Sequence, residues 1–248
     1  MVFSFKQSRK KCIIDAKQHI RDSVNDDVLI IQSISAIEEL DKIVNQISTR
    51  AKEWYSYYNP ELSATISNTE KVVEILIEKS KNELLVEFGF TESMGGELEQ
   101  EDVDAILNLA KRAKGLIECR DEEKIYLEKK MKKFCPNLLK ILGVTLGAKI
   151  IQHCGSLEKL SRTPATVIQI MGAEKSLFKH MTGRGQCPKY GLIFSHKMIA
   201  GVQRKNKGKM ARAIADKAAI AARVDFFKGE FIADKFIEQL EKKFKSLE

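Results

Sequence analysis

The sequence predicts an all-α protein: a long antiparallel coiled-coil hairpin followed by a compact helical domain. Three observations carry that prediction. Apolar residues recur at steps of three and four over most of the chain. Only 4 prolines interrupt its 248 residues. Alanine crowds one C-terminal stretch, "KGKMARAIADKAAIAARVDFF", which reads as a single helix. With 44% hydrophobic and 31% charged residues the chain can build a core, which excludes a disordered polymer. No apolar run reaches the ~18 residues that span a bilayer. The N-terminal "MVFSFKQSRKKC" has basic residues but no apolar stretch after them, so it is not a signal peptide. An intracellular protein is expected, cytoplasmic by default and nuclear or nucleolar in a eukaryote.

The first helix is marked by Ile30, Ile34, Ile37, Leu40, Val44, Ile47, Ala51, Trp54 and Tyr58, one stripe on a long rod. Asn59-Pro60 breaks it, because a residue before proline is pushed out of the α region. A second stripe follows through Leu62, Ile66, Val73 and Leu76. Gly89 and Gly95-Gly96 place a turn. A third helix starts near Glu99, runs through Val103, Ile106, Ala110, Ala113 and Ile117 towards Met131, and ends at Cys135-Pro136-Asn137. Three long helices bury such stripes best in a hairpin or coiled coil, which invites self-association. The aromatic cluster "WYSYY" reads as packing at the hairpin's elbow rather than a platform for bases.

From Asn137 the texture changes, with shorter helices and frequent Gly, Ala and Ser. Ser161, or Thr163 before Pro164, is placed to cap a helix start. "YGLIF" is the one strand-like run. The alanine-rich helix turns Met210, Ile214, Ala218 and Ala221 or Ala222 inward. "FIADKFIEQLEKKFKSLE" is an amphipathic helix with Ile232, Phe236 and Leu240 inward. The expected organisation is a short segment over residues 1–27, a coiled-coil domain over 28–136, and a helical domain over 137–248.

No catalytic constellation is visible. The 5 cysteines form no CxxC pair, and the 4 histidines lack metal-ligand spacing. His153 and Cys154 are adjacent, so on a helix they point about 100° apart. There is no Walker loop and no GxGxxG, and "TGRGQC" does not follow a strand and open a helix as a phosphate loop does. No enzyme activity, cofactor or metal is expected.

Charge is the informative feature. The net charge is +8, yet residues 172–212 alone hold ten basic residues against one acid, Glu174. Such a patch faces a polyanion when its cations neutralise phosphates. "GAEKSLFKHM" sits at its start. Gly172 and Ala173 leave the backbone open, Lys175 and Lys179 share a helix face at i and i+4, and Leu177, Phe178 and Met181 are expected to hold the other side in the core. Gly183 and Gly185 flank Arg184. A second basic cluster, Arg204, Lys205, Lys207, Lys209 and Arg212, can grip the same ligand. Taken alone, "GAEKSLFKHM" fits an ordinary amphipathic helix with a solvated face equally well.

The C-terminal half resembles the Nop domain. "GAKIIQHCGSLEKLSRTPATVIQIMGAEKSLFKHMTG", "CPKYGLIFSH" and "KGKMARAIADKAAIAARVDFF" match that family's signature from about Asn137 to Phe227. The preceding half, from "IQSISAIEELDKIVNQISTRAKEWYSYYNPEL" to "FCPNLLKILG", resembles the family's coiled-coil domain. The family comprises core proteins of box C/D small ribonucleoproteins and a related splicing factor of the tri-snRNP. The resemblance implies a non-catalytic scaffold recognising a kink-turn RNA, such as a box C/D-type guide RNA, already occupied by a small ribosomal-protein-like partner. It also implies self-association through the coiled coil. By position it nominates Gly172, Ala173, Glu174 and Lys175, the turn at Ser195 and His196, and the segment Lys205 to Lys209 as meeting RNA or the protein partner.

Two departures from the family's pattern stand out. Lys197 replaces the usual proline after the "IFSH" turn, and "GVQRKNKGK" replaces a more proline-containing connection. Archaeal members also carry a globular N-terminal domain that holds the methyltransferase fibrillarin. Residues 1–27 are too few for it, so fibrillarin is expected to be a doubtful partner, and ribose 2′-O-methylation does not carry over safely from the resemblance. The alternative reading is a coiled-coil interaction module whose Nop-like domain no longer binds RNA.

Overall fold

A computed structural model describes residues 5–247, so the first four residues of the N-terminal segment lie outside the described residues. Among the described residues there are fourteen α-helices and no strand. The described residues separate into two units, one made of residues 35–125 and the other of residues 5–34 with 126–247.

The 35–125 unit takes its frame from two long helices, α2 (Asp26–Tyr55) and α6 (Gln100–Phe134), whose distal parts lie within it; α1 (Phe5–Asp22) precedes them in the chain. Contacts fix the frame as antiparallel. Tyr57 O accepts from Gly96 N–H at 2.8 Å, and Asp41 Oδ1 meets Arg120 at 3.3 Å, so residues pair in reversed order. Between the long helices run three short ones, α3 (Pro60–Thr65), α4 (Thr69–Glu78) and α5 (Lys81–Glu87).

The second stripe is therefore not one long helix. Asn68 accepts from the backbone at the start of α4, and Ser80 with Glu83 forms a reciprocal capping box at the start of α5. Each cap supplies partners for helix-start N–H groups and so ends the preceding rod. Tyr55, Leu62, Val72, Val73, Leu76, Leu84, Ile106, Ala110 and Ala113 form the core. At the end of α2 the buried position is Tyr55, and Trp54 is exposed, because a step of four follows Ala51. Tyr55 packs edge-on against Tyr58 at 5.6 Å, so the elbow packing expected of the aromatic cluster falls to that pair. Buried Arg120 is held by Glu70 through two hydrogen bonds of 2.6 and 3.1 Å, and by Asp41 and Asp121.

The second unit is organised around α13 (Lys207–Phe226). Before it come α7 (Pro136–Leu142), α8 (Val144–Cys154), α9 (Leu157–Arg162), α10 (Ala165–Ile170), α11 (Glu174–Met181) and α12 (Lys197–Ala200); after it comes α14 (Ala233–Leu247). Helices α7, α9, α10 and α14 all pack on α13. Its Met210, Ile214, Ala218, Ala221 and Ala222 are buried as the sequence predicts. The alanines add little bulk, so neighbouring helices can come close. In α14, Ala233 and Leu240 are buried and Phe236 is half-buried, as is Ile232 just before the helix.

Two local expectations change. Ser161 lies inside α9 with its hydroxyl on Glu158 O, and Thr163 ends that helix; Pro164 itself occupies the cap position of α10. "YGLIF" forms a 3-10 turn over Leu192–Ser195 instead of a strand. Its neighbouring backbone is already committed: Gly191 and Leu192 donate to Gln169 O and Met171 O at 3.0 and 2.7 Å.

Candidate nucleic-acid interface

The cationic window is built on backbone that leaves little freedom. Gly172 adopts φ +86, and a Cβ there would sit 2.6 Å from Leu192 Cγ. Gly191 is tighter, since a Cβ would meet Met171 O at 2.0 Å. With the Gln169 side-chain amide donating to Lys189 O at 2.7 Å, residues 189–192 are zipped to 169–171. The zip carries the turn before α11 onto the 3-10 turn.

Ala173 is the cap position of α11, and the first side chain of that helix is put to structural use. Glu174 Oε1 accepts from Gly172 N–H at 2.7 Å and pairs with His153 Nε2 at 2.7 Å. Desolvation works to raise its carboxyl pKa, but those bonds and its own N–H outweigh it, so the pKa falls below the ordinary value. Glu174 thus latches the turn to α8.

Lys175 and Lys179 are exposed on α11. The turn after them is folded back, with Arg184 N–H on Lys179 O at 2.8 Å, and Arg184 is exposed there. The opposite side of α11 does not reach the core. Phe178 and Met181 are 63% and 71% exposed and Leu177 is half-buried, so no residue of this helix is buried. Eight residues held at their N-terminal end by one latch leave the apolar flank open.

Ser195 and His196 serve the turn itself. Ser195 Oγ donates to Leu192 O at 3.0 Å. His196 Nε2 reaches Ile141 O at 2.9 Å, while its Nδ1 accepts from Met198 N–H at 3.3 Å and caps α12. That pattern fits the neutral imidazole with the proton on Nε2. Burial lowers its pKa below 6.5, opposed by the Ile141 bond and aided by Lys197.

From the 3-10 turn the face continues to α13. Phe194 stacks on Tyr190 at 4.8 Å, and Lys207 Nζ lies 5.1 Å from the Phe194 ring centre. The Lys189 side chain runs beside Gly208, where a Cβ would lie 3.6 Å from Lys189 Cβ. Arg204 and Lys205 are exposed in the turn before α13, and Lys209 and Arg212 are exposed on its first turns. A continuous set of contacts therefore runs Gly172–Leu192, Phe194–Lys207 and Lys189–Gly208. Lys175, Lys179 and Arg184 project from its other end. The sequence reading leaves Lys189, Tyr190, Phe194 and Gln169 out of the nominated set. The signal for Lys189 was present in the basic window; the other three carry no charge to mark them. No group of His, Cys, Asp and Glu among the described residues is placed to hold a metal.

The family model described as "snoRNA binding domain, fibrillarin", named Nop, matches residues 36–246. The chain belongs to the Nop family. It is 40% identical to an uncharacterised NOP5 family protein of Methanocaldococcus jannaschii over 88% of this chain and 56% of the relative. It is 39% identical to nucleolar protein 58 of Aspergillus fumigatus over 80% of this chain and 36% of the relative. The chain thus spans about half, or less, of the curated relatives it matches. The fold is similar to a chain in the crystal structure of a fibrillarin/Nop5p complex, with a TM-score of 0.59 and 23% identity over 98% of this chain and 79% of that one. No helix among the described residues is long and apolar enough to cross a membrane.

Proposed function

We propose that this Nop protein is a non-catalytic scaffold of a box C/D-type ribonucleoprotein, binding a kink-turn RNA together with a small kink-turn-binding protein. The observation that carries the reading is the joined cationic face of α11, the 3-10 turn and the start of α13. Its Lys175, Lys179, Arg184, Arg204, Lys205, Lys207, Lys209 and Arg212 supply the charge. Gly172, Ala173, Glu174, Ser195 and His196 shape the backbone that presents it.

Charge partition supports placing RNA here. Residues 35–125 carry eleven Lys and Arg against twenty Asp and Glu, a net −9. Residues 126–248 carry twenty-five against ten, a net +15. An acidic hairpin repels a polyanion, which leaves RNA to the basic unit; self-association of the hairpin rests on its apolar stripes instead. Fibrillarin is named with the similar Nop5p chain, which supports it as a further partner of this chain, against the doubt raised by the sequence.

A gel-shift with a kink-turn RNA, with and without the small partner protein, tests the scaffold reading. A further-shifted complex on adding this protein is expected, weakening steeply as salt rises. No added complex in either case, with the hairpin still binding protein, would favour the interaction-module alternative.

A further inference from the structure

A recess of about 350 Å³ opens between α10, α13 and α14, lined by Gln169, Gly208, Lys209, Arg212 and Lys243. Three of its five lining residues are cations, one is a side-chain amide, and none is acidic. Lys243 comes from α14, far from the basic window in sequence, and its placement is fixed by its neighbours. Asn206 Nδ2, at the cap of α13, donates to Leu247 O at 2.8 Å. The Phe244 ring lies against Gly201, where a Cβ would approach it to 3.0 Å. These two contacts hold the end of α14 beside the start of α13 and so bring Lys243 to Lys209 and Arg212.

Like charges one turn apart on a helix repel, and a third cation added from another helix increases the cost. An anion seated among them removes it. A phosphate suits the donor set: a guanidinium bonds two of its oxygens in a planar fork, while ammonium groups and an amide approach the rest. The recess also continues the face already described, because Lys189 borders Gly208, and Gln169 holds Lys189 O.

We propose that this recess seats a backbone phosphate of the bound RNA, with Lys243 of α14 as a contact residue. The proposal rests on the RNA-binding reading above and extends the face onto a second helix. The recess works as one site: Lys209, Arg212 and Lys243 share a single phosphate.

The test uses the full chain and a kink-turn RNA with its small partner protein, titrated across a salt series. Lys243→Ala and Arg212→Ala are compared with the unaltered protein, with the double variant, and with Lys242→Ala as an exposed control next along α14. Lys243→Ala is expected to weaken binding several-fold and to flatten the salt slope by less than the ~0.7–0.9 of one whole phosphate contact, because Lys209 and Arg212 stay on that phosphate. The double variant should lose less than the product of the two single losses, because the two residues act on one group. Lys242→Ala should keep the unaltered slope. If the unaltered protein binds RNA and Lys243→Ala keeps its affinity and slope, the phosphate seat is wrong and the scaffold reading stands. If the unaltered protein binds no RNA, both fall.

Discussion

Asn137 and Asp225 hold each other at the start of α7. One carboxylate oxygen of Asp225 accepts from both the backbone N–H and the Nδ2 of Asn137, at 3.1 and 2.8 Å, and the other accepts from Leu138 N–H at 2.8 Å. The Asn137 side-chain oxygen accepts from Ile232 and Ala233 N–H, at 2.7 and 3.0 Å, where α14 begins. Two side chains thus satisfy the starts of two helices and join both to α13.

Asn137→Ala should therefore be severe. It removes the acceptor for two N–H groups and one donor to a buried carboxylate, and Asn137 is 1% exposed. A loss of about 2–4 kcal/mol is expected, read as a lowered urea midpoint with an unchanged slope. Asp225→Asn should fall in the same range, since it turns one acceptor into a donor facing an N–H. A loss below about 0.5 kcal/mol for both would mean that water replaces the pair.

Gly191→Ala should damage the zipped segment more than Gly172→Ala. At Gly191 a Cβ meets backbone, Met171 O at 2.0 Å, which cannot rotate away. At Gly172 it meets the Leu192 side chain, which can move, and the added cost is the φ of +86, about 1–2 kcal/mol for a residue with a Cβ. Thermal melts should rank unaltered protein, Gly172→Ala, then Gly191→Ala. Amide exchange at Leu192 should quicken in the last of these, since its N–H on Met171 O is the bond displaced. A reversed ranking would locate the strain elsewhere.

Lys175→Glu combined with Lys179→Glu should weaken RNA binding by at least tenfold and leave the fold intact. Both side chains are exposed, and α11 buries none of its residues, so helix content and melting should hold. Reversing two cations removes two phosphate contacts and adds repulsion, which flattens the salt slope by about 1.4–1.8 before that repulsion is counted. Unchanged affinity would remove α11 from the interface.

Much of this was legible in the sequence. The long stripes of α2 and α6 announced themselves because one buried face repeats over many turns, and the alanine-rich α13 because small residues recur wherever neighbours approach. The middle of the hairpin was less legible. Its apolar spacing at Leu62, Ile66, Val73 and Leu76 survives even though Asn68 and Ser80 cut the rod, and periodicity does not register a cap. At the site, charge showed the window but not its division of labour. Glu174 and His196 read as contact candidates, whereas their bonds to His153 and Ile141 come from the starts of α11 and α12 meeting α8 and α7. The exposed flank of α11 defeated the amphipathic reading for a related reason: an apolar face needs a neighbour to bury it, and sequence alone does not supply one.

His196 gives a pH dependence whose sign is set by burial. Its folded-state pKa lies below the ordinary 6.5, so the unfolded chain takes up the proton first as pH falls. The stability that the neutral ring contributes is complete above about 6.5 and is lost as pH falls from there through the folded value. Protonation puts a second N–H on Nδ1, against the Met198 N–H that it now accepts, so the cap of α12 is lost with it. Urea unfolding from about pH 8 down to about pH 5 should show this decline in the unaltered protein. His196→Gln, which has no proton to gain, should start from a lower stability and follow a flatter line over that range. Parallel profiles for the two proteins would show that His196 is not the group that titrates.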